Sequence, residues 1–147
     1  MTVKFLPDGF HTVTPYLIVQ GANQLLEFMK TAFDAEEILC TKQPDGKIGR
    51  AAVKIGNSMI ELSEARAEWT PMPGAIHLYV SDTDAVYQRS LQAGATSLQE
   101  PMDMYYGERS AAVKDAVGNH WYIATHLEDL SSEELQRREA VFVTQSH

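Results

Sequence analysis

Glu61, His77 and His120 have the strongest claim to chemistry in this chain of 147 residues. Each stands in a short alternating run (SMIELS, AIHLYV, HWYIATH) that reads as a strand. Side chains on a strand alternate between its two faces, so these three share a face with Tyr16, Met59, Ser63, Tyr79 and Tyr122. One carboxylate and two imidazoles form the donor set of a two-His-one-carboxylate metal site. Alternatively, the two histidines hydrogen-bond within a pocket or to a neighbouring tyrosine. Glu61 also reads two ways. A carboxylate on an aromatic face can serve as a general base, or it is simply paired with a hydroxyl or with Arg109. A face of tyrosine, histidine and methionine is apolar in body with a few polar handles, which suits a small-molecule pocket.

The elements that must position these residues repeat along the chain. The opposite strand face carries Leu17, Val19, Ile60, Leu62, Ile76, Leu78, Val80, Trp121 and Ile123, a set fit to lie beneath helices in an α+β layered domain. TPYLIV reads as a strand, GANQLLEFMKTAF as a helix, and EEILCTKQ, GRAAVKI and SMIELS as three more strands. After a linker with Trp69, Pro71, Pro73 and Gly74 the order recurs: AIHLYV, then the helix DTDAVYQRSLQAG capped at Asp82 or Thr83, then TSLQ, ERSAAVK and HWYIATH. PMDMYYGE between TSLQ and ERSAAVK reads as an irregular loop. The two AAVK copies, at 51–54 and 111–114, open corresponding hairpins, so the chain is expected to hold two βαβββ modules, about 12–64 and 75–126. A helical tail over 131–143 opens with a capping box, Ser131 and Glu134, and is expected to dock on the body or on a partner subunit.

Composition narrows the partners. The formal charge of −8 argues against nucleic acid, which needs clustered Lys and Arg, and no apolar run is long enough to span a membrane. The N-terminus lacks the pattern of a signal peptide, and the lone Cys40, read as a small apolar filler, fits a reducing cytoplasm. His11 and His147, near the termini, carry no signal.

Four stretches carry a resemblance over nearly the whole chain: FHTVTPYLIVQGANQLLEFMKTAFDAEE, PDGKIGRAAVKIGNSMIELSE, AIHLYVSDTDAVY and YYGERSAAVKDAVGNHWYIATHLEDLSSEELQRR. The chain resembles the vicinal oxygen chelate superfamily, which includes glyoxalase I, bleomycin-resistance proteins and extradiol dioxygenases, and within it the PhnB-like branch. The resemblance implies one domain over 1–147, a curved, mostly antiparallel eight-stranded sheet around a cavity, a C-terminal helix and a homodimer. Metal-dependent members hold a divalent ion at four strand positions, which fall here on Thr14, Glu61, Ala75 and Tyr122, with Ile123 as the alternative to Tyr122. Of these only Glu61 is an ordinary ligand, so no metal is expected at the usual positions, and Glu61, His77 and His120 are left as an alternative site for one divalent ion. The run Tyr106-Gly107-Glu108-Arg109 matches an aromatic-Gly-Asp-Arg run of the family, which gives Arg109 an anion-binding or structural role. Tyr105, Tyr106 and Trp69 would sit in segments able to cover a ligand, and His126 would anchor the tail.

The expected function is a small-molecule-binding protein that sequesters its ligand without a cofactor. Its ligand-binding residues would be Tyr16, Met59, His77, Tyr79, Tyr106, Arg109, His120 and Tyr122. The alternative is an enzyme (a lyase, isomerase or dioxygenase) that uses the relocated metal site, or Glu61 or a histidine as base.

Overall fold

The computed structural model describes residues 2–146, so His147 lies outside the described residues. Both modules are present in the expected order. The first comprises β1 (Tyr16–Val19), α1 (Ala22–Phe33), β2 (Glu36–Lys42), β3 (Ile48–Ile55) and β4 (Ser58–Glu64). The second comprises β5 (Ala75–Tyr79), α2 (Thr83–Gln92), β6 (Thr96–Met104), β7 (Glu108–Lys114) and β8 (His120–His126), followed by α3 (Ser132–Ser146). The eight strands divide into two four-stranded sheets that do not close on each other, ordered β1-β4-β3-β2 and β5-β8-β7-β6. In each sheet the first strand runs parallel to its neighbour and the other pairings are antiparallel. The AAVK copies occupy equivalent places, with Ala52 opposite Glu61 and Ala112 opposite Tyr122.

Two helices fill the space between the sheets. α1 presents Leu25, Phe28, Met29 and Phe33 at helical spacing, and α2 presents Val86 and Tyr87, all buried in one core. The core joins the modules: Trp121 of β8 meets Phe33 and Phe28 of α1 at ring-centroid distances of 4.8 and 6.4 Å. Burying a large apolar side chain contributes roughly 1.5–3 kcal/mol, so this cluster fixes the modules against each other. Each sheet therefore turns its apolar face inward and its mixed face outward. Leu17, Val19, Ile60, Leu62, Leu78, Trp121 and Ile123 are all buried, as the alternation predicts.

The helix starts are held from the sheets. α1 begins after Gly21, whose φ of +105° belongs to glycine, and it has no cap from its own side chains. Glu64 at the end of β4 supplies one, accepting from the Gly21 and Ala22 N–H groups at 3.0–3.2 Å. At the equivalent place in the second module, Thr125 Oγ1 accepts from Thr83 N–H at 3.1 Å, and Asp82 caps α2 as expected.

One element departs from the sequence reading. β6 extends beyond TSLQ to Met104, taking in much of the stretch expected to be an irregular loop. Its register shifts between Gln99 and Met102, so Pro101, which has no N–H to donate, lies within an irregularity of an edge strand.

Candidate functional site

The outward face of the second sheet gathers most of the chemistry. Register places His77 beside Tyr122 and Tyr79 beside the small, buried Ala124. The span over Ala124 is therefore clear, and the Tyr79 hydroxyl donates to Glu108 Oε2 on β7 at 2.7 Å. Glu108 Oε1 lies 3.9 Å from His77 Nε2. Glu108 is only 9% exposed, whereas Tyr79 is 67% exposed. The hydrogen bond to Glu108 raises the Tyr79 pKa above its ordinary value, because ionisation would lose the bond and set two negative charges together. The His77 and Tyr79 rings are 4.7 Å apart, those of His120 and Tyr122 6.4 Å, and the Tyr106 hydroxyl lies 3.3 Å from Ser110 Oγ.

The outward face of the first sheet is more self-contained. Glu61 Oε1 lies 2.6 Å from Arg50 Nη2, so its partner is Arg50, not a hydroxyl or Arg109. Tyr16 donates to Ser63 Oγ at 3.1 Å. Met59 is buried, and a Cβ at Gly9 would stand 2.9 Å from its Cε, so the N-terminal segment lies over it.

Arg109 was expected on the ligand face and is not there. It sits opposite Thr125 on β8, facing α2, where Nε and Nη2 grip Asp84 at 3.0 and 3.1 Å and Nη1 holds Asp103 at 3.0 Å. Adjacent residues on a strand face opposite ways, so an outward Glu108 forces an inward Arg109. Of the two roles the sequence leaves open for Arg109, anion-binding or structural, these ion pairs support the structural one. Counting back by twos from Ala112, which pairs with Tyr122, would have found Glu108. Tyr105 is not free to act as a cover either. Its ring stacks on Phe142 of α3 at 4.5 Å and its hydroxyl donates to Glu139. His126 pairs with Asp129 at 2.7 Å, in the segment leading to α3.

A cleft of about 720 Å³ separates the modules. β5 is an edge strand, and the cleft runs along it, against the N-terminal segment and the β3–β4 hairpin. It takes in Thr14, Met59, His77 and Tyr79 from the expected residues, together with His11, which sequence reasoning had set aside. Tyr16, Glu61, His120 and Tyr122 lie outside its lining. Its far wall includes Arg89, whose Nη1 is 3.6 Å from Asp34 and whose buried Nε has no partner among the described residues.

The four positions implied for a metal ion are now fixed by register. Tyr16 pairs with Glu61 and His77 with Tyr122, so Ala75 falls two residues before His77 on β5, and Thr14 lies two residues before β1, outside the strand. Tyr122 faces outward and Ile123 is wholly buried, which removes Ile123 as the alternative. A hydroxyl, one ion-paired carboxylate, a methyl and a phenol do not fit a divalent ion. The alternative set divides between sheets, with Glu61 on the first and His77 and His120 on the second. No three His, Cys, Asp or Glu side chains among the described residues are grouped to hold a metal.

The solved structure of TioX from Micromonospora sp. ML1 matches this fold with a TM-score of 0.69 at 22% identity, over 80% of this chain and 99% of that one. The fosfomycin resistance protein FosX from Listeria monocytogenes, solved with Mn(II) and sulfate, matches with a TM-score of 0.63 at 18% identity, over 88% of this chain and 97% of that one. In sequence, the uncharacterized protein Rv0887c of Mycobacterium tuberculosis is 33% identical over 135 residues, covering 84% of this chain and 79% of the relative. The family model of the Glyoxalase/Bleomycin resistance protein/Dioxygenase superfamily matches residues 9–123. With that match spanning both βαβββ modules, the chain belongs to the Glyoxalase/Bleomycin resistance protein/Dioxygenase superfamily.

Proposed function

We propose that the protein is a cytoplasmic small-molecule-binding protein of the PhnB-like branch that works as a homodimer and holds its ligand without the superfamily's metal ion. The observation that carries this reading is the outward face of the second sheet. His77, Tyr79 and Tyr122 stand exposed on strands fixed by the core, beside a cleft of about 720 Å³. That volume falls in the range of small-molecule sites, and tyrosines give large contact area with a polar end. Arg50 already engages Glu61, which supports a side chain that shapes the face over one that waits for a metal. The free Cys40 is compatible with a reducing compartment. FosX is a fosfomycin resistance protein, and by that likeness the ligand class extends to antibiotics and molecules of similar size.

Calorimetric titration of demetallated protein with Ni²⁺, Zn²⁺, Mn²⁺ and Fe²⁺ tests the metal-free part of this reading, with Glu61→Ala as the control. No saturable binding is expected in either protein. Micromolar binding at one site per chain, abolished in Glu61→Ala, would overturn it and favour an enzyme built on Glu61.

A further inference from the structure

We propose that the outward face of the second sheet recognises an organic ammonium ion, with Glu108 as the counter-charge and Tyr79, His77 and Tyr122 as the surrounding wall. The inference rests on the small-molecule reading above and names the chemical class of its ligand.

Two carboxylates stand on the inner strands of the outward sheet faces, Glu61 on β4 and Glu108 on β7. They are compensated differently. Glu61 has the Arg50 guanidinium at 2.6 Å. Glu108 has no Arg or Lys partner among the described residues; its contacts are the neutral Tyr79 phenol at 2.7 Å and His77 Nε2 at 3.9 Å, beyond hydrogen-bond reach. Nearby cations are already committed. Arg109 lies on the opposite strand face between Asp84 and Asp103, and Arg138 is held by Glu128 and Glu134.

The Glu108 side chain is nonetheless only 11% exposed. A carboxylate removed from water without a cation is costly, and an opposite charge brought to it gains more than it would on an open surface. Oε2 already accepts from Tyr79, which leaves Oε1 for a ligand N–H. The aromatic rings add the second half of the recognition. A cation set over a tyrosine face is attracted by the ring quadrupole; the exposed Tyr79 ring, two residues along from His77, is hydrogen-bonded to Glu108 itself, and the exposed Tyr122 stands beside His77 on β8. One carboxylate and one imidazole are too few donors for a metal ion, while an anion would meet Glu108 with no paired cation to receive it. The net charge of −8 draws cations toward the protein over longer range.

The test uses three probes with one ring and three charges, at about pH 7 and low salt: benzylammonium, benzyl alcohol and benzoate. Fragments of this size bind in the millimolar range, so calorimetry or ligand-observed NMR up to about 10 mM is suitable. Benzylammonium is expected to bind about tenfold tighter than either other probe. Glu108→Gln should erase that preference and leave benzyl alcohol binding unchanged, while Glu61→Gln should leave the preference intact. Ser110→Lys, which places a built-in ammonium two residues along the same strand face, should also suppress it while keeping Glu108 in place. Equal affinities, tighter benzoate binding, or a preference that survives both Glu108→Gln and Ser110→Lys would overturn the ammonium assignment alone. If none of the three probes binds, the small-molecule reading falls with it.

Discussion

Asp115, Glu64 and Glu108 are all nearly buried carboxylates, and they differ in how many donors surround them. Asp115 is the most fully satisfied. It accepts from the Val117 and Asn119 N–H groups at 3.0 and 2.9 Å, from Asn119 Nδ2 at 3.0 Å, and from Trp121 Nε1 at 2.8 Å. Glu64 receives two backbone donors of α1, and Glu108 receives one phenol. The gradient separates structural carboxylates from one left open to a ligand. Because two of the Asp115 partners are backbone amides and a third is the fully buried Trp121, Asp115→Ala leaves several donors unsatisfied at once. The expected loss is about 3 kcal/mol or more, read as a lower urea midpoint, and Asp115→Asn should cost less because one acceptor oxygen remains. None of this was legible in DAVGNHW, which reads only as a turn into a strand. Sequence alternation shows which face a residue is on, but the partner of a polar side chain depends on neighbours from other strands. That is also why the sequence offers Glu61 a hydroxyl or Arg109 as partner, whereas its partner is Arg50, on the adjacent strand.

At the level of elements the sequence was far more informative. The AAVK repeat located two equivalent hairpins, and the period of two divided the buried residues from the outward ones in β1 and β5 and for most of β8; β4 is buried on both faces at Met59 and Ser63. It failed where local composition conflicted with pairing: Pro101 and its polar neighbours read as a loop, yet β7 provides a partner that recruits them into β6. The tail helix followed its capping signal, with Glu134 N–H donating to Ser131 Oγ at 3.1 Å. α3 also carries its own charge lattice. Glu134 accepts from Arg137 and Arg138, and these hydrogen bonds hold its carboxyl down to about 2, against an ordinary 4.5. A depressed folded pKa means the contribution is complete above 4.5 and is lost as pH falls through about 2. The Cα chemical shifts of residues 133–138 are therefore expected to drift toward coil values across that window, before those of β8 change. In Glu134→Gln the helix should already be frayed at neutral pH and show no such step.

For the whole molecule, packing both helices on the apolar faces of the sheets leaves much of the opposite faces exposed, although the N-terminal segment covers Met59. Those faces are not defended by a lawn of charges. Tyr16 is 47% exposed, Leu39 38%, Met102 50%, Tyr79 67% and Tyr122 41%, and the register places all five on outward faces. Exposed apolar and aromatic area of this extent on rigid sheets marks a surface that meets another molecule. In the proposed homodimer that molecule is a second copy, and covering the second sheet would bring a second wall over Tyr79 and Tyr122, where an open sheet gives a small ligand only a floor. Sedimentation at tens of micromolar is accordingly expected to give twice the 16.4 kDa of one chain. Ala112→Arg, which sets a guanidinium beside Tyr122 in the middle of the outward face, should give a folded monomer with unchanged helix content. Ligand affinity should then weaken in the parent protein when it is diluted below its dimer dissociation constant. A parent protein that sediments as a monomer yet binds with undiminished affinity would place the whole site within one chain, along the inter-module cleft and its His77–Tyr79 mouth.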